Sequence, residues 1–82
     1  MSNVVYLKQE KWGHKVIAYD YKNLSRIEVY RSEYCEFETF DDKEEIDFIF
    51  SLEEDFVIID KSEFDEALNN FKNNLNLISD KL

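Results

Sequence analysis

The sequence predicts an α+β domain: an antiparallel β-sheet of four to six strands with one C-terminal α-helix packed on one face. Two patterns support this prediction. Segments of the first two-thirds of the chain alternate with period two, which is typical of strands, and residues 61–78 carry apolar residues at helical spacing. The seven Phe, five Tyr and one Trp among 82 residues supply enough apolar area for a core. We expect residues 1–82 to form a single domain.

Three strands are predicted in the N-terminal part of the chain. Residues 4–7 form a run rich in β-branched residues. Residues 15–21 alternate, which places Tyr19 with its neighbours Ile17 and Tyr21 on one face and Val16 and Ala18 on the other. After a turn at residues 22–25, residues 26–31 alternate again, with Ile27 and Val29 facing inward. These segments predict an antiparallel meander.

A fourth strand is predicted at residues 34–40. Cys35, Phe37 and Thr39 face one way, and Glu36 and Glu38 face the other. A charged connection at residues 41–45 follows this strand.

Residues 42–52 fit two descriptions. Ile46, Phe48, Phe50 and Leu52 alternate with other residues, which favours a strand. A helix is the alternative, because Asp41 followed by Glu44 resembles a cap and because Ile46, Ile49 and Phe50 also fit helical spacing. We favour the strand here, and we expect residues 56–59 to form a further short, buried strand after an acidic turn.

The C-terminal helix has the clearest pattern. Asp60 or Ser62 can cap its first turn, where nearby acids also suit the positive end of the helix dipole. Its apolar stripe follows the spacing i, i+4, i+7, i+11, i+14 and comprises Phe64, Leu68, Phe71, Leu75 and Ile78. We expect this stripe to lie across one face of the sheet.

The sequence carries no motif for catalysis, a cofactor or a metal. The lone His14 is expected in a surface turn, and the acids at residues 41–47 lack the central glycine and terminal glutamate of a calcium loop. A single cysteine, Cys35, is typical of a reducing compartment, and no signal peptide or membrane-spanning segment is predicted. We therefore expect a cytoplasmic protein that is not an enzyme, has no cofactor and does not bind membranes.

Acidic residues are concentrated in the middle of the chain. Fifteen of the nineteen lie between Glu33 and Glu66, so the net charge is +3 over residues 1–32, −13 over 33–66 and +1 over 67–82. Clustered like charge opposes folding. Some of it is expected to be neutralised across strands, with Lys15, Lys22, Arg26 and Arg31 pairing to Glu36, Glu38 or Asp47. An acidic surplus remains after such pairing.

This surplus predicts a surface that binds a basic partner. Alternate residues of a strand lie about 6.6 Å apart on one side, so Glu36 and Glu38 form a carboxylate row spaced like successive backbone phosphates. Exposed Tyr30, Tyr34 or Phe40 could supply apolar anchors beside it. The candidate partner-binding residues are Glu33, Tyr34, Glu36, Glu38, Phe40, Asp41, Asp42, Glu44, Glu45, Asp47, Glu53, Glu54 and Asp55.

In its size and in the acidic segment formed by residues 33–42, the chain resembles the small phage-encoded inhibitors of host defence, the anti-restriction and anti-CRISPR proteins that often mimic DNA. The resemblance implies a non-enzymatic inhibitor that binds a nuclease or another nucleic-acid-binding protein and blocks its nucleic-acid site. It transfers no functional residue.

Two other hypotheses remain open. An immunity, antitoxin or general interaction module, as a monomer or a homodimer, could use the acids to neutralise a basic toxin or to keep a dimer soluble. A direct single-strand binder is the other, since strands followed by a helix are similar to single-strand-binding transcription cofactors. That function needs a positive groove with stacking aromatics, and the net charge of −9 opposes it.

Overall fold

The structure, a computed structural model, describes residues 3–11, 14–31 and 33–81, without the side chains of residues 75–81. Two helices and five strands are formed by these residues. In chain order they are β1 (Val4–Gln9), β2 (Lys15–Asp20), β3 (Ser25–Tyr30), β4 (Tyr34–Thr39), α1 (Lys43–Ser51), β5 (Phe56–Ile59) and α2 (Lys61–Lys81). The predicted α+β fold is confirmed, with one helix more than expected.

The strands form one antiparallel sheet in the order β4-β3-β2-β1-β5. The first four strands make the predicted meander, because each pairs with its neighbour in sequence. β5 returns to the far side of β1 instead, where Leu7 lies opposite Ile58. The edges of the sheet are therefore β4 and β5. Residues 56–59 form the expected strand, but the expectation that it is buried is wrong, because its place at an edge leaves Val57 and Ile58 exposed.

α2 covers one face of the sheet, as its apolar stripe predicts. Phe64 is buried against Val16, Ala18 and Val29, and its ring centroid lies 5.3 Å from that of Tyr6. Leu68 and Phe71 pack on the same cluster while half-buried. The side chains of Leu75 and Ile78, which complete the predicted stripe, lie outside the described residues.

The start of α2 is held by Asp60. The Asp60 carboxylate accepts hydrogen bonds from the Glu63 backbone N–H at 3.0 Å and from the Ser62 hydroxyl at 2.9 Å. These bonds, the backbone one first, hold the pKa of Asp60 below its ordinary value. Of the two caps predicted, Asp60 is the one that the helix uses.

The strand that we favoured over residues 42–52 is wrong, because this segment forms α1. The Asp42 side chain accepts a hydrogen bond from the Glu45 N–H at 2.9 Å, and the Glu45 carboxylate accepts one from the Asp41 N–H at 3.2 Å. This reciprocal arrangement satisfies backbone donors at the helix start. Ile46 is fully buried on the inward side of the helix.

Tertiary packing explains why the helix is preferred. The face of the sheet opposite α2 presents three buried apolar residues, Leu7, Ile17 and Tyr19, and α1 covers them with Ile46, Ile49 and Phe50. A strand would bring only every second residue to that face. The helix brings i, i+3 and i+4 together and leaves its acids exposed to water.

Candidate acidic binding surface

β4 is the edge strand that carries the predicted carboxylate row. In the pairing with β3, Glu36 lies opposite Glu28 and Glu38 lies opposite Arg26. All residues of β4 are exposed except the half-buried Cys35. Glu36 and Glu38 therefore project side by side from the face that α1 covers, while Phe37 projects from the α2 face.

The N-terminal part of α1 continues the acidic region on the same face of the sheet. Its acids and those of the preceding connection are exposed, although the Asp47 carboxylate is hydrogen-bonded to Tyr21. Lys43 is the one basic residue in the segment from residue 33 to residue 48. We call the following set the acidic surface: Glu33, Glu36, Glu38, Asp41, Asp42, Glu44, Glu45 and Asp47.

Acids within this surface differ in what they do for the fold. Asp42 and Glu45 hold the first turn of α1 through their bonds to backbone N–H groups. Within the described part of the chain, Glu36 and Glu38 take part in no ion pair. The expected neutralisation of these two glutamates by Lys15 and Arg26 is therefore wrong.

Arg26 is buried and pairs elsewhere. Its guanidinium donates to the Glu28 carboxylate at 2.7 Å and to the Glu53 carboxylate at 3.4 Å. Lys15 also lies 3.7 Å from Glu28. The ion pairs of Lys15 and Arg26 thus lie inside the α1 face, and the glutamates on β4 take no part in them.

Glu53 is less accessible than Glu54 and Asp55, the two candidate partner-binding residues that follow it. It is half-buried and accepts a short hydrogen bond from the Tyr19 hydroxyl, while Glu54 and Asp55 are exposed. Burial first, and then the bond to Glu53, raises the pKa of Tyr19 above its ordinary value. Sequence patterns gave no indication of this contact, because Tyr19 and Glu53 are far apart in the chain.

The aromatic residues near the acids are not all available to a partner. Tyr34 is 54% exposed and Tyr30, opposite it in the sheet, is 37% exposed. Phe40 is half-buried against the core, so it is not the exposed anchor that we expected. Phe48 was missed, since a strand would have turned it inward, yet α1 leaves its side chain 63% exposed.

The remaining candidate groups for chemistry are His14, Cys35 and a groove beside α2. His14 is exposed, and burial raises the pKa of the half-buried Cys35 thiol, which lowers its reactivity. A groove between α2 and the sheet is bridged by an ion pair of 2.9 Å between Lys8 and Glu63. Among the described residues, no three His, Cys, Asp or Glu side chains are grouped so as to hold a metal ion.

No helix in the described part of the chain is long and apolar enough to cross a membrane.

Comparisons with known proteins leave the family open: no protein-family model matches the chain, and no curated protein or solved structure shows significant similarity to it.

Proposed function

We propose that this protein is a non-enzymatic inhibitor that binds a basic surface on a nucleic-acid-binding protein, such as a nuclease, and blocks it. The observation that carries the proposal is the position of the acidic surface. An edge strand and the start of the following helix present their carboxylates on one side of the sheet, while the nearby cations Lys15 and Arg26 are paired to Glu28 and Glu53.

The spacing of the carboxylates supports mimicry of a nucleic-acid backbone. Glu36 and Glu38 project from the same side of β4, about 6.6 Å apart along the strand. Neither takes part in an ion pair with a described residue, so a partner can reach both carboxylates. A concentrated field of one sign accelerates encounter with an oppositely charged groove and favours partners that carry one.

Exposed aromatic residues can add affinity to this charge. Tyr34 lies at the start of β4 on the same face as Glu36, and Phe48 projects from α1, the helix that carries several of the acids. Interfaces draw much of their binding energy from a few aromatic and arginine residues. Blocking a groove in this way requires no cofactor and no turnover.

The charge test compares two double variants that remove the same formal charge. Glu36→Gln with Glu38→Gln alters the acidic surface, and Glu10→Gln with Glu66→Gln alters exposed acids outside it. Each tagged protein is used for a pull-down from bacterial lysate at low and high salt, with mass spectrometry of the eluate. We expect the wild type and the control to recover a nucleic-acid-binding protein that is released by salt or by added DNA or RNA, and the Glu36/Glu38 variant to lose it.

Three results would contradict the proposal. Equal recovery by both double variants would mean that the β4 glutamates do not form the contact. Recovery of a salt-resistant partner that ignores nucleic acid would favour the immunity or interaction module. A shift of a labelled oligonucleotide by the purified protein at low salt would instead favour direct single-strand binding.

A further inference from the structure

β5 is an apolar edge strand that is protected by its length of only four residues and by no charge within it. Its residues Phe56–Ile59 include no charged side chain, and Ile58 is 77% exposed and Val57 40% exposed. Natural edge strands usually carry charges, proline or bulges that prevent pairing with another chain. The opposite edge strand, β4, follows this rule with Glu36 and Glu38, and β5 does not.

The hydrogen-bond pattern shows which backbone groups of β5 face away from the sheet. The Glu10 N–H donates to the Asp55 carbonyl at 2.7 Å, so the ladder between β1 and β5 is bonded at that position and at every second pair from it. Val57 and Ile59 are therefore bonded to β1. The N–H and C=O groups of Phe56 and Ile58 point outward.

The other side of β1 supports this assignment independently. The Tyr21 N–H donates to the Asn3 carbonyl at 2.9 Å, so the odd-numbered residues of β1 are bonded to β2. Even-numbered residues, among them Tyr6 and Lys8, are then left to bond β5, opposite Ile59 and Val57. The β1–β5 and β1–β2 hydrogen-bond patterns therefore agree that the N–H and C=O groups of Phe56 and Ile58 point outward.

These groups are self-complementary. In an antiparallel pair of two β5 strands, residues whose backbone groups point outward must lie opposite each other. Setting Phe56 opposite Ile58 of the second copy satisfies this condition twice and places Val57 on the twofold axis. The residues that meet across the two strands are then all apolar, and Asp55 faces Ile59 of the second copy. Just beyond the strand ends, the same register sets the exposed acids Glu54 and Asp60 opposite each other.

We propose that β5 pairs with β5 of a second copy of this chain, joining the two sheets into one continuous sheet with twofold symmetry. Charge favours this edge over the other. Four strand spacings of about 4.8 Å separate β5 from β4, so Glu36 and Glu38 lie at the outer ends of the joined sheet, beyond the Debye length of about 8 Å at physiological salt, while the acids of α1 lie nearer, above β1 and β2. Pairing through β4 would bring the glutamates of two copies together. This inference does not depend on the proposed function.

The first test measures mass in solution. Sedimentation equilibrium over a concentration series is expected to give twice the monomer mass of 9.9 kDa for the wild type. Ile58→Lys places a charge at an exposed site on the pairing edge and is expected to give the monomer mass. Phe37→Lys is the matched control, because Phe37 is 63% exposed on the β4 edge, and this variant is expected to remain dimeric. Circular dichroism verifies that both variants are folded.

A second measurement tests which backbone groups of β5 form the pairing. In the wild type, hydrogen exchange at the Phe56 and Ile58 amides is expected to slow as the protein concentration rises, and in Ile58→Lys it is expected to stay fast at all concentrations. A monomeric wild type up to millimolar concentration would overturn the proposal. So would a dimer that Phe37→Lys dissociates and Ile58→Lys does not, or a mass that grows beyond the dimer, as expected for β4 of one copy pairing with β5 of the next.

Discussion

At the scale of single residues, the polar network beneath α1 links parts of the chain that are remote in sequence. Tyr19 is fully buried, and its hydroxyl donates to the Glu53 carboxylate and accepts from Arg26 Nε at 3.2 Å. Arg26 in turn pairs with Glu28. Buried polar groups are costly when they lose a partner, so this network favours one arrangement of the connection between α1 and β5 on the sheet.

Removing one hydroxyl from this network should therefore destabilise the fold. Tyr19→Phe keeps the ring but leaves Glu53 and Arg26 each without one partner, and we expect the free energy of unfolding to fall by about 1–3 kcal/mol. Urea denaturation followed by circular dichroism measures the change. Tyr34→Phe is the control, because Tyr34 is 54% exposed and its loss should change the free energy by less than about 0.5 kcal/mol. Equal effects would mean that the network contributes nothing specific.

The same tyrosine predicts a loss of stability at alkaline pH. Burial and the bond to Glu53 raise the pKa of Tyr19 in the folded state above its ordinary value of about 10. A group whose pKa is raised by folding stabilises the fold fully below the unfolded pKa, and this stabilisation is lost as the pH rises above it. We expect the unfolding free energy to decline above about pH 10, and to decline less steeply in Tyr19→Phe. Identical slopes in the two proteins would contradict this assignment.

At the scale of secondary-structure elements, the N-terminus of α1 allows the capping role of Asp42 to be tested separately from its charge. Asp42 caps the helix by accepting from the Glu45 N–H, and asparagine can accept the same bond without the charge. We expect Asp42→Ala to lower the unfolding free energy by about 0.5–2 kcal/mol and Asp42→Asn to lower it much less. Thermal or urea denaturation of the two variants makes the comparison. If both lose the same stability, the charge at the helix end matters more than the cap.

The packing of α2 predicts which of two phenylalanines, Phe64 or Phe71, contributes more to the free energy of unfolding. Phe64 is 4% exposed in the core, whereas Phe71 is half-buried one turn beyond Leu68. We expect Phe64→Ala to cost about 3–5 kcal/mol, the range for a buried aromatic, and Phe71→Ala to cost less. Chemical denaturation of both variants tests the order. A larger loss for Phe71→Ala would mean that α2 is centred further towards its C-terminal end.

At the scale of the whole molecule, the net charge of −9 acts against the fold. Most of the repulsion arises in the acidic surface, where exposed carboxylates are close together and salt screens them efficiently. We expect the unfolding free energy to increase between low salt and 0.15 M NaCl, and to increase less in the variant Glu36→Gln with Glu38→Gln. Denaturation curves at several salt concentrations measure this. A stability that falls with salt would show that the ion pairs of the α1 face outweigh the repulsion.

Local patterns in the sequence determined the meander, the inward faces of β2 and β3, the separation of Glu36 and Glu38 from Cys35 and Phe37, and a start of α2 capped by Asp60 or Ser62. They did so because side-chain alternation, helical spacing and capping depend on residues that are close in the chain. Only the tertiary structure decided that residues 43–51 form a helix, since the face of Leu7, Ile17 and Tyr19 requires a covering element and the sequence pattern alone favoured a strand. The same holds for the partners of Arg26 and for the exposed apolar edge at β5, because pairing between remote residues depends on where the whole sheet places them.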